Sequence, residues 1–152
     1  MDYSQIFAIS ASGMQVQRTR LEVAAHNLAN AQTVQGPDGQ PFRPLVAVAR
    51  AQVSGYAGMT TSFDGVMQSE SAEPALARAS AFVMEDRAAA PRMVLEPGHP
   101  YADAKGMVRY PGVNHLEQMV AITQALRIYE ANLAAMQAAK TMATRALDIG
   151  GQ

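Results

Sequence analysis

Apolar residues near the end of the chain recur at alternating steps of three and four: Met119, Ile122, Leu126, Tyr129, Leu133, Met136, Ala143 and Leu147, with Lys140 in the same register. That spacing lays one seam along an α-helix and predicts a helix over 114–149. Asn114 followed by Glu117 reads as a capping box, in which each side chain reaches an orphan amide of the first turn. Gly150 and Gly151 supply the stop. At about 1.5 Å per residue the helix is a rod of roughly 50 Å. Alanines at 131, 134, 135, 138, 139, 143 and 146 leave it little polar surface.

The other end carries a similar, less regular pattern. Ile6, Ile9, Gly13, Val16 and Val23 continue a 3,4 repeat that also runs through Arg20, Asn27 and Asn30, and Met14, Leu21, Ala24 and Leu28 form a second stripe beside it. The prediction is a helix over 4–31 with a broad apolar face, wider than a two-helix seam needs. An antiparallel hairpin of the two ends and packing against other chains both satisfy such faces. Asn27 and Asn30, poor helix formers near the helix end, can close the helix and tie down the following turn. They can equally hydrogen-bond across a seam and set its register.

Between the helices the pattern breaks. All eight prolines lie between Pro37 and Pro111, where they forbid helix interior. Gln35–Pro41 is a turn cluster. Leu45–Val53 is an apolar, β-branched strand candidate, and Met59–Met67 is a weaker one with Asp64-Gly65 as a hairpin turn. Ala81–Met84, Met93–Leu95 and Met107–Tyr110 read as short strands, and Gln68–Arg78 as a polar loop. The expected fold is mainly α with a small β-rich insertion. Its long terminal helices pack as a coiled-coil or helical-tube layer around a β- and turn-rich central lobe, with boundaries at 1–31, 32–113 and 114–152.

Composition narrows the function. The chain is 49% hydrophobic and only 16% charged, against about 25% charged in ordinary soluble domains; scarce surface charge fits a surface that ends against other protein. A net charge of −1 without a basic block argues against nucleic acid as a partner. Cysteine is absent, which excludes disulfides and thiolate chemistry. No stretch approaches a membrane span. The longest early apolar run, Ile6–Ile9, is too short for a cleavable signal peptide, so export would read an uncleaved N-terminus. The ten methionines suit adaptable interfaces better than metal binding.

Candidate chemistry is thin. His26 has no second ligand one helical turn away, and His115 is a first-turn helix residue. His99 stands near Glu96 and Asp103, a general-base or half-metal arrangement, but flanking prolines make a solvated turn the better account. No phosphate loop, dinucleotide fingerprint or nucleophile elbow occurs. No catalytic residue, cofactor, metal or small-molecule substrate is expected.

Asn27-Leu28-Ala29-Asn30-Ala31 resembles the N-terminal signature of bacterial flagellar axial proteins. Gly36–Arg43, the run from Glu96-Pro97-Gly98-His99-Pro100 to Tyr110-Pro111-Gly112-Val113-Asn114, and the helix segments Glu117–Val120 and Arg127–Leu133 are similar to the basal-body rod protein family, most like proximal rod proteins of the FlgC type. Residues from about 68 to 92 depart from that pattern, being longer and richer in alanine; a surface lobe or a disordered loop would both account for them. The resemblance implies a structural rod subunit, one component of the drive shaft crossing the periplasm. It also implies export by the flagellar type III apparatus without signal cleavage, and helical assembly through the terminal helices. The implied partners are copies of itself, other rod proteins, the export apparatus and the base-proximal adaptor of the MS ring. The interface residues expected are Ile6, Ile9, Val16, Leu21, Val23, Leu28, Met119, Ile122, Leu126, Tyr129, Leu133, Met136, Ala143 and Leu147. A rival of another class is a soluble export chaperone or adaptor that holds a client with the same amphipathic helices.

Overall fold

A computed structural model describes residues 3–34, 42–54 and 76–150. The order of elements is α1 (Tyr3–Ala29), β1 (Leu45–Ser54), β2 (Leu76–Glu85), β3 (Arg92–Leu95), β4 (Met107–Tyr110) and α2 (His115–Gly150). The strands form two two-stranded sheets, β1 with β2 and β3 with β4. The fold class is the one expected, two long terminal helices with a small β region between them.

The chain divides into two compact units. One holds α1 as far as Val16, β1 from Ala49, β2 as far as Ala81 and α2 from Ile128. In it Gly13 of α1 lies against Asn132 of α2, a Cβ on Gly13 falling 3.0 Å from the Asn132 amide nitrogen. The Ser12 hydroxyl donates to the Ile9 carbonyl and accepts from the Ala79 backbone N–H at 3.1 Å, which fastens β2 to α1. Val16 and Ala139 are buried here.

The other unit holds α1 from Gln17, β1 as far as Val48, β2 from Phe82, the β3–β4 sheet and α2 as far as Arg127. Its buried apolar residues include Val23, Ala24, Ala31, Val108 and Ala125. β3 and β4 pair antiparallel, with Arg92 opposite Tyr110, Val94 opposite Val108 and Leu95 opposite Met107. Because side chains alternate across a sheet, Val94 and the fully buried Val108 share one face, and the exposed Met93 and Leu95 share the other.

The connection between β3 and β4 is closed by Asp103. Its carboxylate accepts from the Lys105 and Met107 backbone N–H groups at 2.8 and 2.9 Å, and its own N–H donates to the Met107 carbonyl. Gly106 adopts φ +73°, a region that costs an L side chain energy, and sits on the Pro97 ring. Gly112 is required for space: a Cβ there would strike the Ala90 carbonyl oxygen.

Both helices end as their sequences dictate. Asn30 closes α1, its N–H and side-chain amide both donating to the His26 carbonyl at 3.1 and 2.9 Å. At α2 the Asn114 side chain accepts from the Leu116 N–H at 3.1 Å. Glu117 accepts from the Asn114 side-chain amide at 3.0 Å rather than from a backbone N–H, so only the Asn114 half of the expected box forms. β1 and β4 fall where the pattern puts them, and β3 starts one residue earlier. Leu76–Arg78, expected in a loop, instead begins β2, which is longer than Ala81–Met84. The Gln35–Pro41 turn cluster and the Met59–Met67 strand with its Asp64-Gly65 turn lie outside the described residues.

Candidate assembly interface

α2 meets its surroundings within the chain along a line of mostly small and polar side chains, with Ile122 and Met136 the bulky members. Gln118, Ile122, Ala125, Asn132, Met136, Ala139 and Ala143 are buried or half-buried, and their spacing alternates between three and four apart from the step over Tyr129. The larger apolar residues mostly point elsewhere. Met119, Leu126, Leu133 and Leu147 are 55, 46, 38 and 74% exposed, and Tyr129 is also exposed. One residue of advance turns a helix by about 100°, so the exposed Met119–Leu126–Leu133 line stands beside the covered Gln118–Ala125–Asn132 line. Leu116, Val120, Ile128 and Met142 are exposed as well. Among the described residues nothing covers this apolar stripe.

Of the residues expected on α1, Val16 and Val23 are buried, Ile6, Leu21 and Leu28 are half-buried, and Ile9 is 47% exposed. On α2, Ile122, Met136 and Ala143 face inward in part, whereas Met119, Leu126, Tyr129, Leu133 and Leu147 do not. The structure thus divides the expected stripe into a portion its own fold uses and a portion it leaves open. Ala125, Asn132 and Ala139 on the covered line escape a reading based on bulky apolar residues. The signal for them is the same heptad, shifted by one residue.

Asn27 acts on three partners at once. Its side-chain amide donates to the Leu45 carbonyl at 2.8 Å and to Gln118 Oε1 at 3.2 Å, and its oxygen accepts from the Leu45 N–H at 2.7 Å. At 2% exposure this polar side chain is fully satisfied, as a buried amide must be. It joins the end of α1 to the start of β1 and reaches across to α2. Both roles read from the sequence are therefore present: Asn30 closes the helix, while Asn27 anchors the first strand and bridges to the other helix. Ala29 is exposed.

Two of the histidines make local contacts. His99 Nδ1 accepts from the Tyr101 N–H within a turn, and His26 lies 5.4 Å from the Phe42 ring. Glu96 accepts from the Tyr110 hydroxyl at 2.9 Å, under the Arg92 guanidinium that covers the Tyr110 ring. This hydrogen bond, ahead of burial and the Glu96 charge, holds the Tyr110 hydroxyl above the usual tyrosine range, and the Arg92 charge opposes it. Among the described residues no group of three histidine, aspartate or glutamate side chains is placed to hold a metal. Among them, too, no helix is long and apolar enough to cross a membrane.

Comparison with known proteins agrees at both ends of the chain. Residues 7–36 match the family described as flagella basal body rod protein, and residues 104–149 match the C-terminal family of flagellar basal body rod FlgEFG proteins. The chain is 39% identical over 145 residues to the flagellar basal-body rod protein FlgC of Escherichia coli O6:H1, covering 95% of this chain and 96% of that protein. It is 37% identical over 150 residues to FlgC of Yersinia enterocolitica, covering 99% of each. With FlgC of Bacillus subtilis it shares 34% over 146 residues, covering 93% of this chain and 94% of the relative.

Proposed function

The chain belongs to the FlgC-type family of flagellar basal-body rod proteins, a structural subunit of the rod, and from that premise we propose that it transmits torque in the proximal rod through its terminal helices. Its place is the basal body, among other rod components, and the family's role is mechanical. In the proposed arrangement 1–31 and 114–152 enter a shared helical layer while 32–113 lies outside it and sets contacts between neighbours. Export through the type III apparatus without signal cleavage, and docking on the export apparatus and the MS-ring adaptor at the base, complete the proposal. Nothing in the comparisons favours the export-chaperone alternative.

The observation that carries this reading is the exposed apolar stripe Met119–Leu126–Leu133 beside a covered line of small and amide side chains. These residues are 38–55% exposed, so covering each gains on the order of 1 kcal/mol, about half the value for a fully exposed side chain. A neighbouring helix is the cover such a stripe fits. The Ile6, Ile9, Leu21 and Leu28 side of α1 is proposed to join the same layer. The test is Leu126→Asp and Leu133→Asp, each exported and each measured for swimming. Burying an unpaired carboxylate at every repeat costs several kcal/mol per interface, so both variants lose motility and rods are absent from their basal bodies. Wild-type swimming in both refutes the proposed interface.

A further inference from the structure

Three arginines from segments far apart in the sequence converge on one cleft. Arg43 precedes β1, Arg87 lies between β2 and β3, and Arg109 is on β4; Phe42, Asp86 and Pro111 share the lining, and the cleft volume is about 360 Å³. All of them belong to the same compact unit. Asp86, the acid of the lining, is already engaged, its carboxylate accepting from the Ala88 N–H at 2.9 Å and its own N–H donating to the Pro44 carbonyl. Arg43 is turned toward Glu85 at 3.4 Å. Among the described residues neither Arg87 nor Arg109 has an acidic partner. A positive cleft beside an aromatic and a proline ring is built for a carboxylate that arrives with an apolar side chain, since guanidinium forks match carboxylate geometry.

We propose that this cleft receives Asp148, with Leu147 beside it, from the end of α2 in a second copy of the chain. Leu147 is 74% exposed, more than any other large apolar side chain among the described residues, and Asp148 next to it is exposed too. The last turn of α2 holds no basic residue, so the partial negative charge of its final carbonyls is not offset. The last turn is therefore negative and apolar, with the exposed Arg145 one turn behind it, and the cleft is positive with apolar walls. A contact between two different patches of identical chains is head-to-tail and repeats into a helical stack. The inference rests on the rod reading and names one contact within it.

The absence of cysteine from the chain makes the test clean. Arg109→Cys and Asp148→Cys combined in one chain, oxidised in isolated basal bodies, form chain-to-chain disulfides; neither single variant does. Charge reversal gives the second arm. Arg87→Glu with Arg109→Glu, or Asp148→Arg alone, lowers incorporation into rods by about tenfold or more, the worth of a charge-assisted hydrogen bond, and combining them restores it. Arg109→Lys, which keeps the charge but not the fork, incorporates better than Arg109→Glu, and circular dichroism confirms the fold of each purified variant. Assembled rods without the cross-link, reversals that incorporate normally, or a Lys variant as defective as the Glu variant overturn the inference. So does inorganic phosphate binding at the cleft with no effect of Asp148 substitutions. Basal bodies that lack the unmodified chain altogether would instead remove the rod reading itself.

Discussion

Asn27→Ala is the substitution whose cost the structure fixes most directly. The side chain is 2% exposed and makes three hydrogen bonds. Each such bond contributes about 0.5–1.5 kcal/mol net, and a buried partner left without one costs about 1–3 kcal/mol. Leu45 and Gln118 are half-buried, so water recovers some of that penalty. The expected loss is about 2–4 kcal/mol, a large share of the 5–15 kcal/mol that typically holds a domain folded. The assay is urea unfolding of the purified chain monitored by circular dichroism. A double-mutant cycle with Gln118→Ala isolates the bridge to α2, with an expected coupling of about 0.5–1.5 kcal/mol. Asn27→Asp sharpens the test. It keeps the bond from the Leu45 N–H but sets a carboxylate against the Leu45 carbonyl and Gln118 Oε1. Those oxygens and burial favour the neutral acid and raise its folded pKa above the unfolded value. The destabilisation is therefore present at neutral pH, exceeds that of Ala, and is relieved as pH falls below the raised value. An Asn27→Ala change within 0.5 kcal/mol of the parent, a threshold set by ordinary surface substitutions at about that size, would refute the reasoning.

The same geometry sets three further outcomes. Gly112→Ala drives a Cβ into the Ala90 carbonyl, which is backbone and yields little; thermal unfolding should show a loss of about 1–3 kcal/mol. Asn114→Ala removes the cap on the Leu116 N–H, and calorimetry should register about 1 kcal/mol. The Tyr110 hydroxyl, raised by its bond to Glu96, contributes stability that is complete below the ordinary tyrosine value and lost as pH rises through the raised one. An alkaline titration of unfolding should show this component in the parent and none in Tyr110→Phe.

The terminal helices are legible in the sequence because proline is confined to the middle of the chain and the heptads are nearly unbroken. The side of α2 that the chain covers for itself is not. Hydrophobic patterning weighs bulky residues, and Ala125, Asn132 and Ala139 carry little weight although Ala125 and Ala139 are buried and Asn132 lies against Gly13. The bulky set does form a stripe, yet within one chain Met119, Leu126 and Leu133 stay open. The start of β2 escapes the pattern because Leu76–Arg78 mixes alanine and arginine with one leucine, which carries neither β-branching nor clear alternation. The Asn27–Leu45 link is only half visible, since sequence distance hides which strand an amide will meet. The arginine cleft is invisible for the same reason, its three cations arriving from separate segments.

The narrow contact at Gly13 and Asn132 bears on how a polymer of such chains starts. Glycine against an amide offers few methylenes, so a lone molecule gains little by closing its helices there and keeps its larger side chains for others. In the proposed rod, growth from an existing end would then outpace spontaneous seeding, since a pre-formed tip supplies at once the neighbours that free copies must first gather. The base on which the proposed rod begins then sets where assembly starts.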